Sequence, residues 1–276
     1  MKEHWREYLI EAWGLGTFMV VAGIFATILY SPDCPFSFLI SHDFSKRLLM
    51  GIAMGITAIA IIYSPWGKRS GAHINPAVTL TFFRLKKITL FDALGYIISQ
   101  FIGGLLGILL AAFILGRSFT YPPVNYLVTV PGKWGLIAAL ITEFLLALGL
   151  MLMVLFTSNN NKLSPYTGIF AGILVANYIT FAAPISGMSL NPARTFASGL
   201  PSQIWSGFWI YYFAPPLAML LAAEIYLRYR RKPKTICYKL CPNGEQPCIA
   251  IKCCTSCEDM MRHWRTESNK KRTIKK

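Results

Sequence analysis

The amino-acid sequence predicts an all-α membrane protein with six transmembrane helices plus two re-entrant half-helices, arranged as an inverted repeat. Of the 276 residues, 54% are hydrophobic and 14% are charged, and the mean hydropathy is +0.47. The apolar residues gather in stretches near the roughly 20 residues that cross a bilayer core. Two stretches, 70–79 (SGAHINPAVT) and 186–195 (SGMSLNPART), also share the pattern Ser-Gly followed by Asn-Pro-Ala.

Six apolar segments are long enough to be membrane spans. The second is short because the polar loop SPWGKRSGAH follows it directly. The opening MKEHWREYL is charged and has no small-residue cleavage site, so we expect the first span to be retained and not removed as a signal peptide. The spans are predicted at Tyr8–Tyr30, Leu48–Tyr63, Leu90–Leu115, Trp134–Phe156, Tyr166–Ala183 and Gln203–Tyr229.

The repeated Asn-Pro-Ala predicts two short helices that begin abruptly. Each asparagine is a predicted N-cap, and each proline stands at the first helical position, where its missing N–H costs nothing. The motif residues are Asn75, Pro76 and Ala77 in the first copy and Asn191, Pro192 and Ala193 in the second.

The two halves of the chain repeat the same order of elements. Glu11 and Glu143 occupy matching places near the start of each half, and each half reads helix, helix, half-helix, helix. Three spans per half force the halves (about 5–116 and 134–230) into opposite orientations, so the half-helices enter from opposite faces and meet near the midplane. Non-helical backbone at membrane depth must be buried or line a wet cavity. The pattern therefore predicts a water-filled path.

From Trp5 to Arg230 the chain resembles the aquaporin (major intrinsic protein) family, because the Asn-Pro-Ala motif occurs twice, in register. The resemblance implies passive, bidirectional flow of water, and it leaves open whether small neutral solutes such as glycerol also pass. It also implies a homotetramer in which each subunit has its own pore. Half-helix dipoles and an arginine form the barrier to protons and cations in pores of this type. Here the arginine is Arg194, and its counterpart in the first repeat is Val78.

The resemblance also implies which residues form the narrowest constriction. Strict water channels carry a histidine where this chain has Ile179, which makes the gate less hydrophilic. By contrast, four residues are more typical of a water channel than of a glycerol channel at their positions, namely Thr195, Gly199, Tyr211 and Tyr212. The predicted constriction consists of Arg194, Met188, Ile179 and either Gly55 or Met54, depending on the length of the loop before the first motif.

Three of the polar residues inside predicted spans are candidates for holding the re-entrant loops. Glu11 and Glu143 are expected to accept hydrogen bonds from the re-entrant loops, and Gln100 is expected to help hold a loop. Two alternatives remain open for the glutamates: solvation in the headgroup layer, or proton coupling, which would make the protein a secondary transporter. No Ser-His-Asp set, phosphate-binding glycine loop or catalytic carboxylate pair is present, so we expect no enzymatic activity.

Basic residues are distributed unevenly between the two sides of the predicted membrane domain. Residues 228–276 hold 14 basic and 4 acidic residues, whereas the side opposite the termini carries only five basic residues (Lys46, Arg47, Arg117, Lys133 and Arg194). Positive residues collect in the cytoplasm, so we predict an integral cell-membrane protein with both termini cytoplasmic. We expect the basic tail, residues 231–276, to contact lipid headgroups and not nucleic acid.

Six of the seven cysteines fall within this tail, and only Cys34 lies elsewhere. In a reducing compartment, clustered thiols more often bind metal than form disulfides. We therefore keep three readings open: a zinc site, redox-regulated thiols, or free cysteines in a tail without order. A metal- or redox-responsive membrane protein remains a further alternative, and no cofactor is expected in the pore. The candidate zinc ligands are Cys237, Cys241, Cys254 and Cys257.

Overall fold

The computed structural model describes residues 4–160, 162–229, 239, 240 and 249, and these residues form helices and connecting loops. Two short 3-10 turns, Asn125–Leu127 and Ser164–Tyr166, accompany the α-helices. The helices are α1 (Trp5–Tyr30), α2 (Phe36–Leu39), α3 (Asp43–Tyr63), α4 (Pro65–Ser70), α5 (Pro76–Arg84), α6 (Leu90–Leu115), α7 (Arg117–Thr120), α8 (Gly135–Ser158), α9 (Thr167–Ser186), α10 (Pro192–Ser202) and α11 (Phe208–Tyr229).

Six of these helices, α1, α3, α6, α8, α9 and α11, are long and apolar enough to cross a membrane, which confirms the predicted fold class. An even number of spans puts both ends of this bundle on one side, which we call the terminal side. The loops 31–42, 116–134 and 203–207 therefore lie on the opposite side.

Two helix starts differ from the sequence prediction by five residues. α3 begins at Asp43, five residues before the predicted Leu48. Its first turn contains charged residues, and the helix can include them because this turn lies at the end of the bundle on the opposite side. Its Lys46 ammonium lies 5.7 Å from the centre of the Tyr30 ring. α11 begins at Phe208 and not at Gln203, because Gln203 has left-handed backbone angles (φ 57°, ψ 23°) and ends α10.

The two halves pack in corresponding ways. α1 lies along α6 in the first half, α8 lies along α11 in the second, and α3 packs against α9 between the halves. Small residues allow these close crossings, as is typical of membrane helices. A Cβ on Gly107 would lie 2.8 Å from the Cα of Gly16, and a Cβ on Gly55 would lie 2.6 Å from the carbonyl oxygen of Gly172.

Each half-helix packs against the last spanning helix of the other half. α5, from the first half, lies against α11, and α10, from the second half, lies against α6. α5 and α10 also contact each other. This exchange brings the two Asn-Pro motifs together inside the bundle, although 115 residues separate the partners in chain order.

Candidate functional site

The two asparagines of the repeated motif cap the two half-helices as predicted. Asn75 has extended backbone angles, and its Oδ1 accepts a hydrogen bond from the Ala77 N–H at 2.9 Å. Asn191 is also extended, and its Oδ1 accepts from the N–H groups of Ala193 and Arg194 at 3.0 and 3.3 Å. These bonds satisfy N–H groups that a helix start leaves without intrahelical partners.

The amide nitrogens of the same asparagines reach across to the opposite loop. Asn75 Nδ2 donates to the Leu190 carbonyl at 2.8 Å, and Asn191 Nδ2 donates to the Ile74 carbonyl at 2.8 Å. Each amide nitrogen carries a second hydrogen, and both side chains line the central cavity. The two half-helix N-termini are therefore tied to each other, with amide groups at the cavity wall.

The loop that leads into each half-helix has an unusual backbone, and the two loops share it. Three positions in each loop have a positive φ, and two of the three are not glycine. Such a conformation costs of order 1–3 kcal/mol for a residue with a side chain. The pairs are Gly71 and Gly187 (φ 97° and 77°), Ala72 and Met188 (53° and 48°), and Ile74 and Leu190 (42° and 56°). Other contacts must hold both loops in place.

In the first half, Glu11 makes those contacts. Its carboxylate is fully buried. Oε1 accepts from the Ser70 hydroxyl at 2.7 Å and the His73 N–H at 3.1 Å, and Oε2 accepts from the Ile74 N–H at 2.6 Å and Gln100 Nε2 at 2.8 Å. A charged acceptor with four donors is strongly favoured over an unpaired one.

In the second half, Glu143 repeats the arrangement. Its carboxylate is also fully buried. Oε1 accepts from the Ser186 hydroxyl at 2.7 Å and the Ser189 N–H at 2.9 Å, and Oε2 accepts from the Leu190 N–H at 2.7 Å. The matching donors show that both glutamates contact loop backbone inside the protein and not the headgroup layer.

Two buried tyrosines add a contact that sequence reasoning missed. The Tyr96 hydroxyl donates to the Ser70 carbonyl at 2.6 Å, and the Tyr211 hydroxyl donates to the Ser186 carbonyl at 2.6 Å. The sequence pattern indicated for Tyr211 only a preference for water over glycerol. Its equivalence to Tyr96 follows from the matching bonds to Ser70 and Ser186.

A cavity of about 490 Å³ passes along the two loops. Tyr30 and Arg47 line it toward the opposite side, and Ile62 and Val154 line it toward the terminal side. Backbone of both re-entrant loops forms part of its wall, next to mainly apolar helix side chains. The cavity thus combines the polar residues of the two loops with mainly apolar helix side chains at membrane depth.

Arg194 lies at this cavity, one residue past the second motif. Its Nη1 donates to the Leu127 carbonyl at 2.9 Å, to the Ser198 hydroxyl at 3.3 Å and to the Thr129 hydroxyl. The guanidinium is therefore held by the loop between α7 and α8, a role that sequence reasoning did not assign. Val78, its counterpart, also lines the cavity, so at this position of the motif only the second repeat carries a charge.

The other predicted constriction residues lie at the same cavity. Ile179 and Met188 line it, and so does Met54. Gly55 instead faces α9, because its backbone packs against Gly172. Of the two alternatives that the sequence left open, the structure therefore brings Met54 to the cavity.

Two further cavity residues were not among the predicted site residues. Arg47 donates from Nε to the Thr180 carbonyl at 3.1 Å, next to Ile179 in the chain. Leu240 also lines the cavity, although it lies beyond the segment Trp5–Arg230 that carries the family resemblance. The basic residue before a span was a weak signal for Arg47, and nothing in the sequence pattern pointed to Leu240.

The predicted zinc ligands Cys237, Cys241, Cys254 and Cys257 lie outside the residues that the structure describes. Within the described part, no group of three or more His, Cys, Asp or Glu side chains could hold a metal ion.

Six spans, two capped half-helices and a cavity along their joined ends define a membrane protein built around a pore. The major intrinsic protein family model matches residues 1–226. A probable aquaporin, AqpM, from Archaeoglobus fulgidus is 34% identical over 193 residues, which cover 64% of this chain and 74% of that protein. The glycerol uptake facilitator protein-like 6 from Lactiplantibacillus plantarum is 33% identical over 233 residues, covering 79% and 95%.

The fold is also similar to a solved structure. The X-ray structure of the aquaglyceroporin from Plasmodium falciparum superimposes with a TM-score of 0.63 at 22% identity, covering 80% of this chain and 94% of that one. The chain belongs to the major intrinsic protein family, which confirms the resemblance drawn from its two Asn-Pro-Ala motifs.

Proposed function

We propose that this protein is a passive, bidirectional membrane channel for water and small neutral solutes such as glycerol. The observation that carries the proposal is the pair of reciprocal asparagine bonds, Asn75 to the Leu190 carbonyl and Asn191 to the Ile74 carbonyl, at the wall of the cavity. These bonds hold polar backbone and amide groups where a passing water can exchange hydrogen bonds. The relatives named as an aquaporin and a glycerol facilitator support the same solutes.

The barrier to ions rests on three fixed positive features. Each half-helix N-terminus carries about half a unit charge, and Arg194 adds a full charge at the cavity. At an effective dielectric constant near 20, two unit charges about 4 Å apart repel by roughly 4 kcal/mol. That energy corresponds to roughly a thousandfold reduction in cation passage, because every 1.4 kcal/mol is a factor of ten. Neutral solutes do not meet this barrier.

The constriction favours a wide solute range within the neutral class. Met54, Ile179 and Met188 line the same cavity as Arg194 with apolar side chains, and methionine is unbranched and adapts its shape readily. Such a wall offers water few hydrogen bonds but accepts the carbon backbone of glycerol. We therefore assign the channel water conduction together with measurable glycerol passage.

We assign Glu11, Glu143 and Gln100 a loop-orienting role and not proton transport. Glu143 accepts from two loop N–H groups and one loop hydroxyl, and Glu11 accepts in the same way with Gln100 as an additional donor. These bonds offset the strained loop backbone in each repeat. A role in proton coupling would require the carboxylates to release these donors during transport.

Four further assignments belong to the proposal. The excess of basic residues on the terminal side places both termini in the cytoplasm. Membership of the family supports a homotetramer with one pore in each subunit. We assign no cofactor to the pore and no enzymatic activity to the protein, because the cavity-lining groups described above are suited to the passage of solutes and not to the breaking of bonds.

A solute panel on purified protein in liposomes tests this proposal and separates it from a secondary transporter. Liposomes are exposed in a stopped-flow instrument to inward gradients of glycerol, urea and a larger sugar, each with and without a sodium or proton gradient. A channel gives glycerol entry that is independent of ion gradients and has a low temperature dependence. Glycerol entry that requires an ion gradient would instead identify a transporter.

A further inference from the structure

Leu240 is seated in the terminal-side mouth of the pore. Its side chain is only 6% exposed, it lines the cavity, and its N–H donates to the Gly71 carbonyl at 3.1 Å. Gly71 is the residue between α4 and the first re-entrant loop. The tail therefore contacts Gly71, and the residue that follows Gly71 in the chain, Ala72, lines the cavity.

The apolar surroundings of Leu240 come from both halves of the protein. It belongs to one buried cluster with Ile62 of α3, Val78 of α5 and Val154 of α8. These three residues also line the cavity, and together with Gly71 they define what we call the inner mouth. A leucine in contact with this set takes space that a permeating solute would otherwise use.

Two other described tail residues are also packed against the protein. Lys239, next to Leu240 in the chain, is only 2% exposed, although lysine is rarely buried. Ile249 packs against the large buried cluster that includes Leu240. Leu240 is therefore not the only described tail residue that is packed against the protein.

We propose that the inner mouth is a binding site for the tail segment Lys239–Leu240 of this same chain, and that the seated segment closes the pore. This inference rests on the proposed channel function. The described contacts of Leu240, its hydrogen bond to Gly71 and the burial of its side chain, are noncovalent, so the seating is reversible. The segment therefore acts as an internal inhibitor whose release opens the channel.

The test uses the full chain and three variants in liposomes. L240D replaces the apolar anchor with a charge that the inner mouth cannot accept, and L240M keeps an apolar side chain of similar size. L163D is the matched control, because Leu163 lies in the terminal-side loop before α9, is 39% exposed and is not among the residues that line the cavity. Water permeability is measured by stopped-flow light scattering at equal protein density.

We expect L240D to raise water permeability at least threefold over the wild type, while L240M and L163D stay close to it. Equal permeability of L240D and wild type, both above empty liposomes, would overturn this inference and leave the proposed function standing. Permeability of all variants at the level of empty liposomes would overturn the proposed function and this inference with it.

Amide hydrogen exchange supplies a second readout that does not depend on conduction. The peptide that contains Leu240 should be protected in the wild type, because its N–H is bonded to Gly71 inside the bundle. The protection should be lost in L240D and kept in L163D. Full exchange of this peptide at the earliest time point in the wild type would show that the segment is not seated.

Discussion

Asn75 and Asn191 each donate a hydrogen bond to the carbonyl of the residue that precedes the other, and both bonds are 2.8 Å long. The symmetry of this pair fixes the two half-helix N-termini against each other at the cavity. Each loop must then approach with a strained backbone, and the buried glutamates hold it there. The barrier, the pore wall and the strained re-entrant loops are thus parts of one arrangement.

The first prediction concerns the ion barrier. Arg194→Val removes the fixed charge, so roughly 4 kcal/mol of repulsion on a nearby cation is lost. We expect proton or small-cation leak to rise at least tenfold, while water permeability changes little. Leak is measured with a pH-sensitive dye in liposomes, in the full chain and in the L240D background, so that a seated tail does not hide the change.

Arg117→Val is the matched control for this prediction. Arg117 lies on the opposite side of the bundle, where its guanidinium stacks 4.8 Å from the Tyr121 ring centre and does not line the cavity. We expect no additional leak in this variant. An unchanged leak in Arg194→Val would show that the barrier lies elsewhere.

The second prediction concerns solute selectivity. Ile179→His puts a donor and a polar ring at the constriction, so the ratio of water to glycerol permeability should rise. Ile179→Leu keeps the apolar character and should leave the ratio near that of the wild type. Stopped-flow light scattering with each solute gives the ratio directly. Complete exclusion of glycerol by the L240D variant, in which the tail does not close the pore, would mean that Thr195, Tyr211 and Tyr212 are better guides to selectivity than Ile179.

The third prediction concerns the loop anchors. Glu143→Ala leaves two buried N–H groups and one hydroxyl without their acceptor, and each such loss costs about 1–3 kcal/mol. Thermal unfolding in detergent should therefore shift down by about 6 °C or more, since 1 kcal/mol corresponds to about 2–4 °C at this size. Tryptophan fluorescence during heating measures the shift.

Glu224→Gln is the control for the loop anchor. Glu224 pairs with Arg84 at 2.6 Å, but both side chains are well exposed, and exposed pairs contribute about 0–1 kcal/mol. We expect a shift of less than about 4 °C in this variant. A Glu143→Ala protein as stable as Glu224→Gln would contradict the anchoring role.

The fourth prediction concerns metal binding by the tail. If Cys237, Cys241, Cys254 and Cys257 bind zinc, the full chain purified without chelators should contain about one equivalent, as expected for a four-thiolate site. A chain truncated after Arg231 should contain none, and both should assemble. Elemental analysis by mass spectrometry measures the content. Metal-free full-length protein would leave these cysteines without a metal role.

The local features of the fold could be predicted from the sequence, whereas contacts between distant parts could not. The Asn-Pro caps depend on neighbouring residues only, so their half-helices begin where expected. The choice between Gly55 and Met54 depends on how α3 rotates against α9, which residue spacing does not determine. The contact of Leu240 with Gly71 joins residues 169 positions apart, and no pattern in the tail indicates it.

The most direct test of the central claim is osmotic shrinkage of liposomes that hold the full chain or the L240D variant. The pore lies within one chain and needs no energy source, so L240D liposomes should shrink several times faster than empty ones, with a low temperature dependence. Wild-type liposomes should fall between the two. Shrinkage of both proteins at the rate of empty liposomes would contradict the account, because the cavity along Asn75 and Asn191 would then not conduct water.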